Sequence, residues 1–263
     1  MKTKTDVSLN GILLSDLDQK IIIQGIEEAS PSWNITATSL ARRYGQRVTG
    51  REYRYRDVTV RFAIAEISNM QEREDILQAV RDWARNPGWM KVSYREGQRI
   101  WATCNAMPAV QGINRWAEAY AIVFRAWSMP EWEAEEADSA TAAGISGSTQ
   151  ITVQPSAGGP MRIEAGNSSG GVCNAISVTA AGQTMSFGSL GLRHGETFVM
   201  DYDEEGLQRI RIRSAAGAWR SVLESRSEES VDDILLAQGT SAISFTAGAS
   251  LSWRFYAYGR WAG

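Results

Sequence analysis

The alternation of apolar and polar positions is most pronounced between Gly50 and Ser68, GREYRYRDVTVRFAIAEIS. Tyr53 and Tyr55 take odd positions, whereas Val58, Val60, Phe62 and Ile64 take even ones. A β-strand shows one face at every second residue, so the apolar face changes sides near Arg56–Asp57. The stretch is rich in β-branched and aromatic residues, has no Pro and has Gly only at its start. That pattern predicts one strand several times longer than the usual five or six residues, with a bulge or strong twist where the face switches. Val58 to Ile64 are expected to belong to the domain's own sheet. The period then changes. SNMQEREDILQAVRDWARNPG places Ser68 as an N-cap with Gln71 three residues on. Glu72, Glu74 and Asp75 follow in the early turns, where the helix dipole favours negative charge. Ile76, Leu77, Val80, Trp83 and Ala84 form one stripe of a 3.6-residue period, and Asn86-Pro87-Gly88 ends the predicted helix.

Extended patterns surround this helix. KIIIQGIEE reads as an early strand, and WMKVSY and RIWATCNAM flank REGQ as a hairpin. In NRWAEAYAIVFRAW the alanines suit a helix, but the aromatic and β-branched enrichment predicts a long strand. Residues 1–133 are therefore expected to form an α+β domain, a long-stranded, barrel-like sheet packed on one helix. EWEAEEADSATAAGISGSTQ, Glu131 to Gln150, passes from acidic to small residues without apolar periodicity, so residues 134–149 read as a linker. Beyond it, short alternating runs such as QITVQ, AISVTA, TFVMDY, LQRIRIRS and LSWRFYAYGRW are separated by SAGGP, GNSSGG, DEEG and AAGA. Strands at this spacing predict an all-β sandwich or jelly roll over residues 150–263, with a turn of helix possible only at Glu228 to Leu235.

Composition narrows the function more than the fold. Hydrophobic content of 43% and a charged fraction of 22% are those of a folded domain protein, and a net charge of −3 gives no overall pull toward nucleic acid or anionic membrane. The halves differ. Lys and Arg outnumber Asp and Glu by 18 to 16 in residues 1–133 and are outnumbered 9 to 14 in residues 134–263, while seven of the ten Trp lie in the first half. No apolar run approaches a membrane span, since Arg125 interrupts Ala119 to Ala126. The basic N-terminus lacks the apolar segment of a secretory signal, which predicts folding in a cytoplasm. Cys104 and Cys173 lie in separate halves and are expected to be reduced thiols. His194 is the only histidine, so a His-based zinc cluster is excluded.

Candidate chemistry is sparse, and no catalytic, metal or cofactor set emerges. DYDEEG gathers Asp201, Asp203, Glu204 and Glu205 but lacks the spacing and closing Glu of a calcium loop, so it reads as a solvated hairpin tip. GNSSGG lacks the helix and Lys of a phosphate loop. ARRYGQRVTGREYRYR interleaves Arg with aromatic residues, as single-stranded nucleic-acid sites do, but Glu52 and Asp57 interrupt it. A protein–protein surface is the better reading, since Arg and Tyr are enriched there. Trp253, Tyr256, Tyr258 and Trp261 could stack on a sugar, although core packing is the commoner use of such residues.

The order of elements in residues 7–133 resembles the N-terminal domain of phage distal tail proteins. The resemblance rests on VSLNGILLSD, on RYRDVTVRFAIAEISNMQEREDILQAVRDWA, on WMKVSYREGQRIWATC and on AIVFRAWSMPEWE. Met129 stands where the family usually has an acidic residue before Pro130. FVMDYDEEGLQRIRIRSAAGAWRSVLE and DDILLAQGTSAISFTAG are similar to the family's C-terminal β-sandwich, often described as galectin-like. The resemblance implies a virion protein without catalytic activity, assembled in a bacterial cytoplasm. It implies a hexameric ring at the end of a long non-contractile tail, with DNA only passing through the lumen. It also implies contacts with the tail-tube protein, with the tail-associated hub protein and, in some phages, with receptor-binding proteins.

Arg51 to Arg56 are then expected to project toward a neighbouring subunit, with ARRYGQRVTG as a protruding loop or hairpin. The subunit-interface candidates are Arg43, Tyr44, Arg51, Tyr53, Tyr55 and Arg56. The alternative is a carbohydrate-binding module or adhesin acting through the second domain, with Trp253, Tyr256 and Trp261 as glycan-stacking candidates. The usual Asn and Arg company of a galectin sugar site is absent around His194.

Overall fold

The computed structural model describes residues 5–39, 46–113, 117–154 and 159–261. The chain divides into two compact units that meet in sequence between Glu133 and Ala134. The first holds β1 (Val7–Leu9), β2 (Ile12–Leu13), β3 (Ile21–Glu28), β4 (Ser32–Ser39), β5 (Gln46–Ala65), α1 (Met70–Ala84), β6 (Gly88–Val92), β7 (Gln98–Ile113), β8 (Ala117–Ala126) and β9 (Trp132–Ala134). Its antiparallel strands run β2-β1-β6-β7-β8-β5-β3, with β4 continuing along β5 and β9 against β7.

Asn10 and Gly11 both take left-handed backbone geometry, at φ 52° and 83°, which is the two-residue turn that Asn-Gly favours between β1 and β2. Asn10 then clasps β6, where its N–H donates to the Trp89 carbonyl and its Oδ1 accepts from the Trp89 N–H. A side chain at Gly88 would collide with this amide. The helix starts one residue later than the sequence suggests. Asn69, with Oδ1 accepting the Glu72 N–H at 2.9 Å, is the N-cap, and a Glu72 carboxylate oxygen accepts the Ser68 N–H. Ile76, Leu77, Val80 and Ala84 are buried, and Trp83 packs edge-on against Phe124, its N–H donating to the Ile12 carbonyl.

The second unit holds β10 (Asp138–Val153), β11 (Arg162–Asn167), β12 (Ile176–Ala180), β13 (Gln183–Phe187), β14 (Thr197–Tyr202), β15 (Gln208–Arg213), β16 (Trp219–Ser221), β17 (Gly239–Ala257) and β18 (Arg260–Trp261). β17 pairs β10 on one edge along nearly its whole length, and on the other edge β12 with its first half and β11 with its second. Sixteen extended residues would span about 50 Å. Yet the Gln154 N–H donates to Asp138 Oδ2 at 3.1 Å, so the two ends of β10 meet. The β10–β17 ribbon is therefore folded over on itself. The corner lies where Gly144 pairs Leu251 and Ser146 pairs Thr246, leaving Ile145 opposite residues 247–250 of β17. Gly144 takes φ +123° there, and its carbonyl accepts the Trp253 indole N–H at 3.2 Å. The fold brings Phe245 onto Trp253 and Phe255, with ring centres 4.8 and 5.9 Å apart, at the heart of the unit's core.

Two expectations are corrected. The first unit is not an α+β domain, because α1 is the one α-helix among the described residues of a chain that is otherwise nearly all β. The second unit is all-β but not galectin-like, because one continuous hydrogen-bonded sheet passes through the β10–β17 corner and supplies both layers. Strand β10 runs through much of residues 134–149, and residues 228–235 hold no helix; there the Val231 N–H donates to the Thr184 carbonyl.

Candidate assembly interface

β5 has twenty residues and two different halves. From Arg56 to Ala65 it pairs β8 throughout, and between Val58 and Ile64 it also pairs β3. Val58, Val60, Phe62 and Ile64 are fully buried along one face. From Tyr55 back to Gln46, β4 is its only partner among the described residues. Beyond the end of β8 the two strands thus continue as a two-stranded ribbon. The β4–β5 register shifts twice, between Ser32 and Trp33 and between Thr36 and Ala37, which leaves Arg54 and Thr49 as extra residues on β5. The first shift lies two residues before the switch point read from the sequence. A bulge of this kind bends the strand and increases its twist.

The base of the ribbon is fastened by a buried charge cluster. Arg56 is 1% exposed, on the same face as Val58, and faces the Glu28 carboxylate at 3.7 Å. Glu28 also accepts the Tyr94 hydroxyl and Arg95 Nε at 2.7 Å each and the Trp132 indole N–H at 2.8 Å. Burial alone would raise the Glu28 pKa, but the bonds from Arg95, Tyr94 and Trp132 outweigh it and hold the carboxyl below its ordinary value. Burial and the bond to Glu28 push the Tyr94 phenol well above its usual range.

Above this base lies a stack of aromatic rings and cations. The Tyr55 and Trp127 ring centres are 5.7 Å apart, and the Arg125 guanidinium carbon lies 3.9 Å from the first and 4.8 Å from the second. Arg54 approaches Tyr55 at 5.8 Å. Asp57 holds Arg125 through two bonds of 2.6 and 2.8 Å, which raises the Arg125 pKa further and fixes its plane over the rings. Trp127 remains 53% exposed. Further along the ribbon Ile35 is 56% exposed and Trp33 is exposed as well. An isolated two-stranded ribbon has no core of its own. Exposed Trp, Ile and Arg on such a ribbon make a surface suited to burial against another chain.

The sequence candidates fall in different places. Tyr55 lies in the stack, where it packs on Trp127 and Arg125 of its own unit. Arg56 lies in the core beside Glu28, so its side chain is not on a surface. The backbones of Arg51 and Tyr53 pair Ile35 and Trp33 in the ribbon, while their side chains lie outside the described part of the structure. Arg43 and Tyr44, with residues 41–45 of the ARRYGQRVTG stretch, lie outside the described residues, and residues 46–50 belong to β5. Of the glycan-stacking candidates, Trp253 is 2% exposed in the core, so neither face of its ring is open to a sugar. Tyr256 is half-buried, with Arg254 over its ring at 5.1 Å and Tyr258 edge-on to it, and Trp261 is half-buried in β18. Trp33, Ile35, Arg125 and Trp127 were not singled out from the sequence. The signal available was Arg125 breaking an apolar run immediately before a Trp.

Among the described residues no group of His, Cys, Asp and Glu could hold a metal ion, and no helix is long and apolar enough to cross a membrane. The cysteines are free thiols, Cys173 in the core and Cys104 half-buried, where burial raises its pKa.

This architecture is similar to that of chains from two phage adsorption devices. The crystal structure of the Dit protein (gp 19.1) of phage SPP1, described as a paradigm of the hub adsorption apparatus in phages infecting Gram-positive hosts, is similar over 98% of this chain and 99% of its own, with a TM-score of 0.70 at 11% identity. The baseplate of phage p2 in its activated conformation, with calcium or with strontium, contains a chain similar over 97% of both lengths, with a TM-score of 0.51 at 7% and 6% identity. No family model matches the sequence, and no curated protein matches it.

Proposed function

We propose that the protein is a structural component of a phage tail tip, in which copies assemble side by side into a hexameric ring. The ring joins the tail tube to the hub and adhesion proteins, with DNA passing through its lumen. The observation that carries this reading is the β4–β5 ribbon, which exposes Trp33 and Ile35 and leaves residues 46–55 of β5 without a second strand neighbour among the described residues. An open strand edge is a template for backbone pairing with another chain, and a head-to-tail contact of this kind closes into a ring when its rotation permits. The fold shared with the SPP1 Dit protein supports a tail-tip role. The tail-tube protein, the tail-associated hub protein and receptor-binding proteins are the partners this role implies. The Arg54–Tyr55–Arg125–Trp127 stack is the proposed anchor of the contact, beside the ribbon.

Light scattering and negative-stain imaging of the purified protein test the reading. A particle near six times 28.9 kDa with a central hole is expected. A protein that stays monomeric at high concentration contradicts it.

A further inference from the structure

The β14–β15 hairpin is electrically polar along its length. At the turn between the strands lie Asp203, Glu204 and Glu205. Asp203 Oδ1 accepts the N–H groups of Glu205 and Leu207, which fixes the turn. Glu204 and Glu205 are exposed and make no ion pair among the described residues. At the opposite end of the hairpin, Arg213 pairs Trp219 across the β15–β16 ladder and Arg211 pairs Ser221. The Arg211 and Arg213 guanidinium carbons lie 4.2 and 5.7 Å from the Trp219 ring centre. Asp201 holds Arg211 at 2.9 Å, whereas Arg213 is exposed and makes no ion pair among the described residues. Trp219 is 46% exposed. The unit has more acidic than basic residues, so this Arg–Trp end runs against the charge of the domain that carries it.

We propose that the Arg213–Trp219 end of this hairpin docks a second copy of the same chain, receiving that copy's Asp203–Glu205 turn. Three features favour a copy over an unrelated acidic partner. The complementary charge is present in the chain itself, on the same hairpin. Its carboxylates at Glu204 and Glu205 are unpaired and held forward by a fixed turn. The two ends differ, so the contact is heterologous and compatible with a closed ring. Arg and Trp together are also the residue types that dominate contact energetics, and Arg binds carboxylates through a rigid fork. The inference deepens the ring proposal and rests on the chain being present in several copies.

Full-length protein carrying Trp33→Ser and Ile35→Ser, which disables the ribbon contact, isolates this one. Sedimentation is measured at low and at high salt, with circular dichroism as a check on folding. The expected result is salt-sensitive self-association, weakened about tenfold or more by Arg213→Glu and likewise by Glu204→Arg with Glu205→Arg. Mixing the two charge-reversed proteins should restore it, because each supplies the end the other lacks. Trp219→Ala, a change at an exposed site, should weaken association without charge reversal. A monomer at every salt concentration overturns the contact, and so does a mixture no tighter than its components. Neither result touches the ribbon-dependent ring, which is read separately in the wild-type protein. Wild-type protein without rings, together with charge-swap rescue in this background, would overturn the ring and keep the contact.

Discussion

The chain contains two long antiparallel ribbons, and they use their length in opposite ways. The β10–β17 ribbon turns back on itself at Gly144 and builds both layers of its unit from one pair of strands. Leu251, Trp253 and Phe255 alternate inward on one side of the corner, and Ile243 and Phe245 do so on the other. Small residues face the large ones across the ladder, Ala142 opposite Trp253 and Ala140 opposite Phe255, which leaves room for the rings to meet. Beyond Arg56 the β4–β5 ribbon pairs with no further strand among the described residues. Residues 33–37 of β4 are all exposed, Trp33 and Ile35 among them, and the ribbon's root is pinned by Arg56 and Glu28. One ribbon completes its hydrophobic contacts within its own unit, and the other leaves Trp33 and Ile35 exposed.

This contrast is tested most severely at the corner. Trp253→Ala removes a buried indole and its bond to the Gly144 carbonyl, and should destabilise the second unit by about 3–5 kcal/mol in denaturant titrations. Arg56→Ala leaves the Glu28 carboxylate short of a cation in a buried site and should cost about 3 kcal/mol in the first unit. The same cluster gives a pH signature. The Glu28 pKa is lowered on folding from its ordinary 4.5, so its contribution is complete above that value and is lost as pH falls through the lowered one. Acid unfolding of Glu28→Gln, followed by tryptophan fluorescence, should lack this loss of stability. Gly144→Ala forces a side chain into φ +123° and should cost about 1–2 kcal/mol, seen as a lower Tm. Trp33→Ser with Ile35→Ser should change monomer stability by less than about 0.5 kcal/mol, because both side chains are exposed on a ribbon without a core.

The β4–β5 ribbon was more legible in the sequence than the β10–β17 ribbon. Alternating Val58, Val60, Phe62 and Ile64 announced the length of β5 and its buried face, and a switch of face was placed within two residues of the observed bulge. The first part of β10 escaped notice because its inward residues, Ala140 and Ala142, are alanines whose apolar signal vanishes among Ser, Thr and Gly, whereas Ile151 and Val153 made its end legible as QITVQ. Arg56 read as a surface cation because its counter-charge, Glu28, is distant in sequence and reaches it only through the sheet. For Trp253 core packing was the favoured reading, with sugar stacking kept as the alternative because the corner that encloses it is specified by Gly144 on another strand. Tyr55 was singled out from the sequence and lies in a stack within its own unit, while Trp33, Ile35 and Trp127 became candidates only once their exposure was known.

The central claim is that the β4–β5 ribbon assembles copies of the chain. The most direct test is the mass of the wild-type protein beside that of Trp33→Ser with Ile35→Ser, measured by light scattering at the same concentration. A wild-type particle near six times 28.9 kDa is expected, with the variant losing it while keeping its Tm. A variant that assembles as the wild-type protein does, or a wild-type protein that never assembles, contradicts the claim.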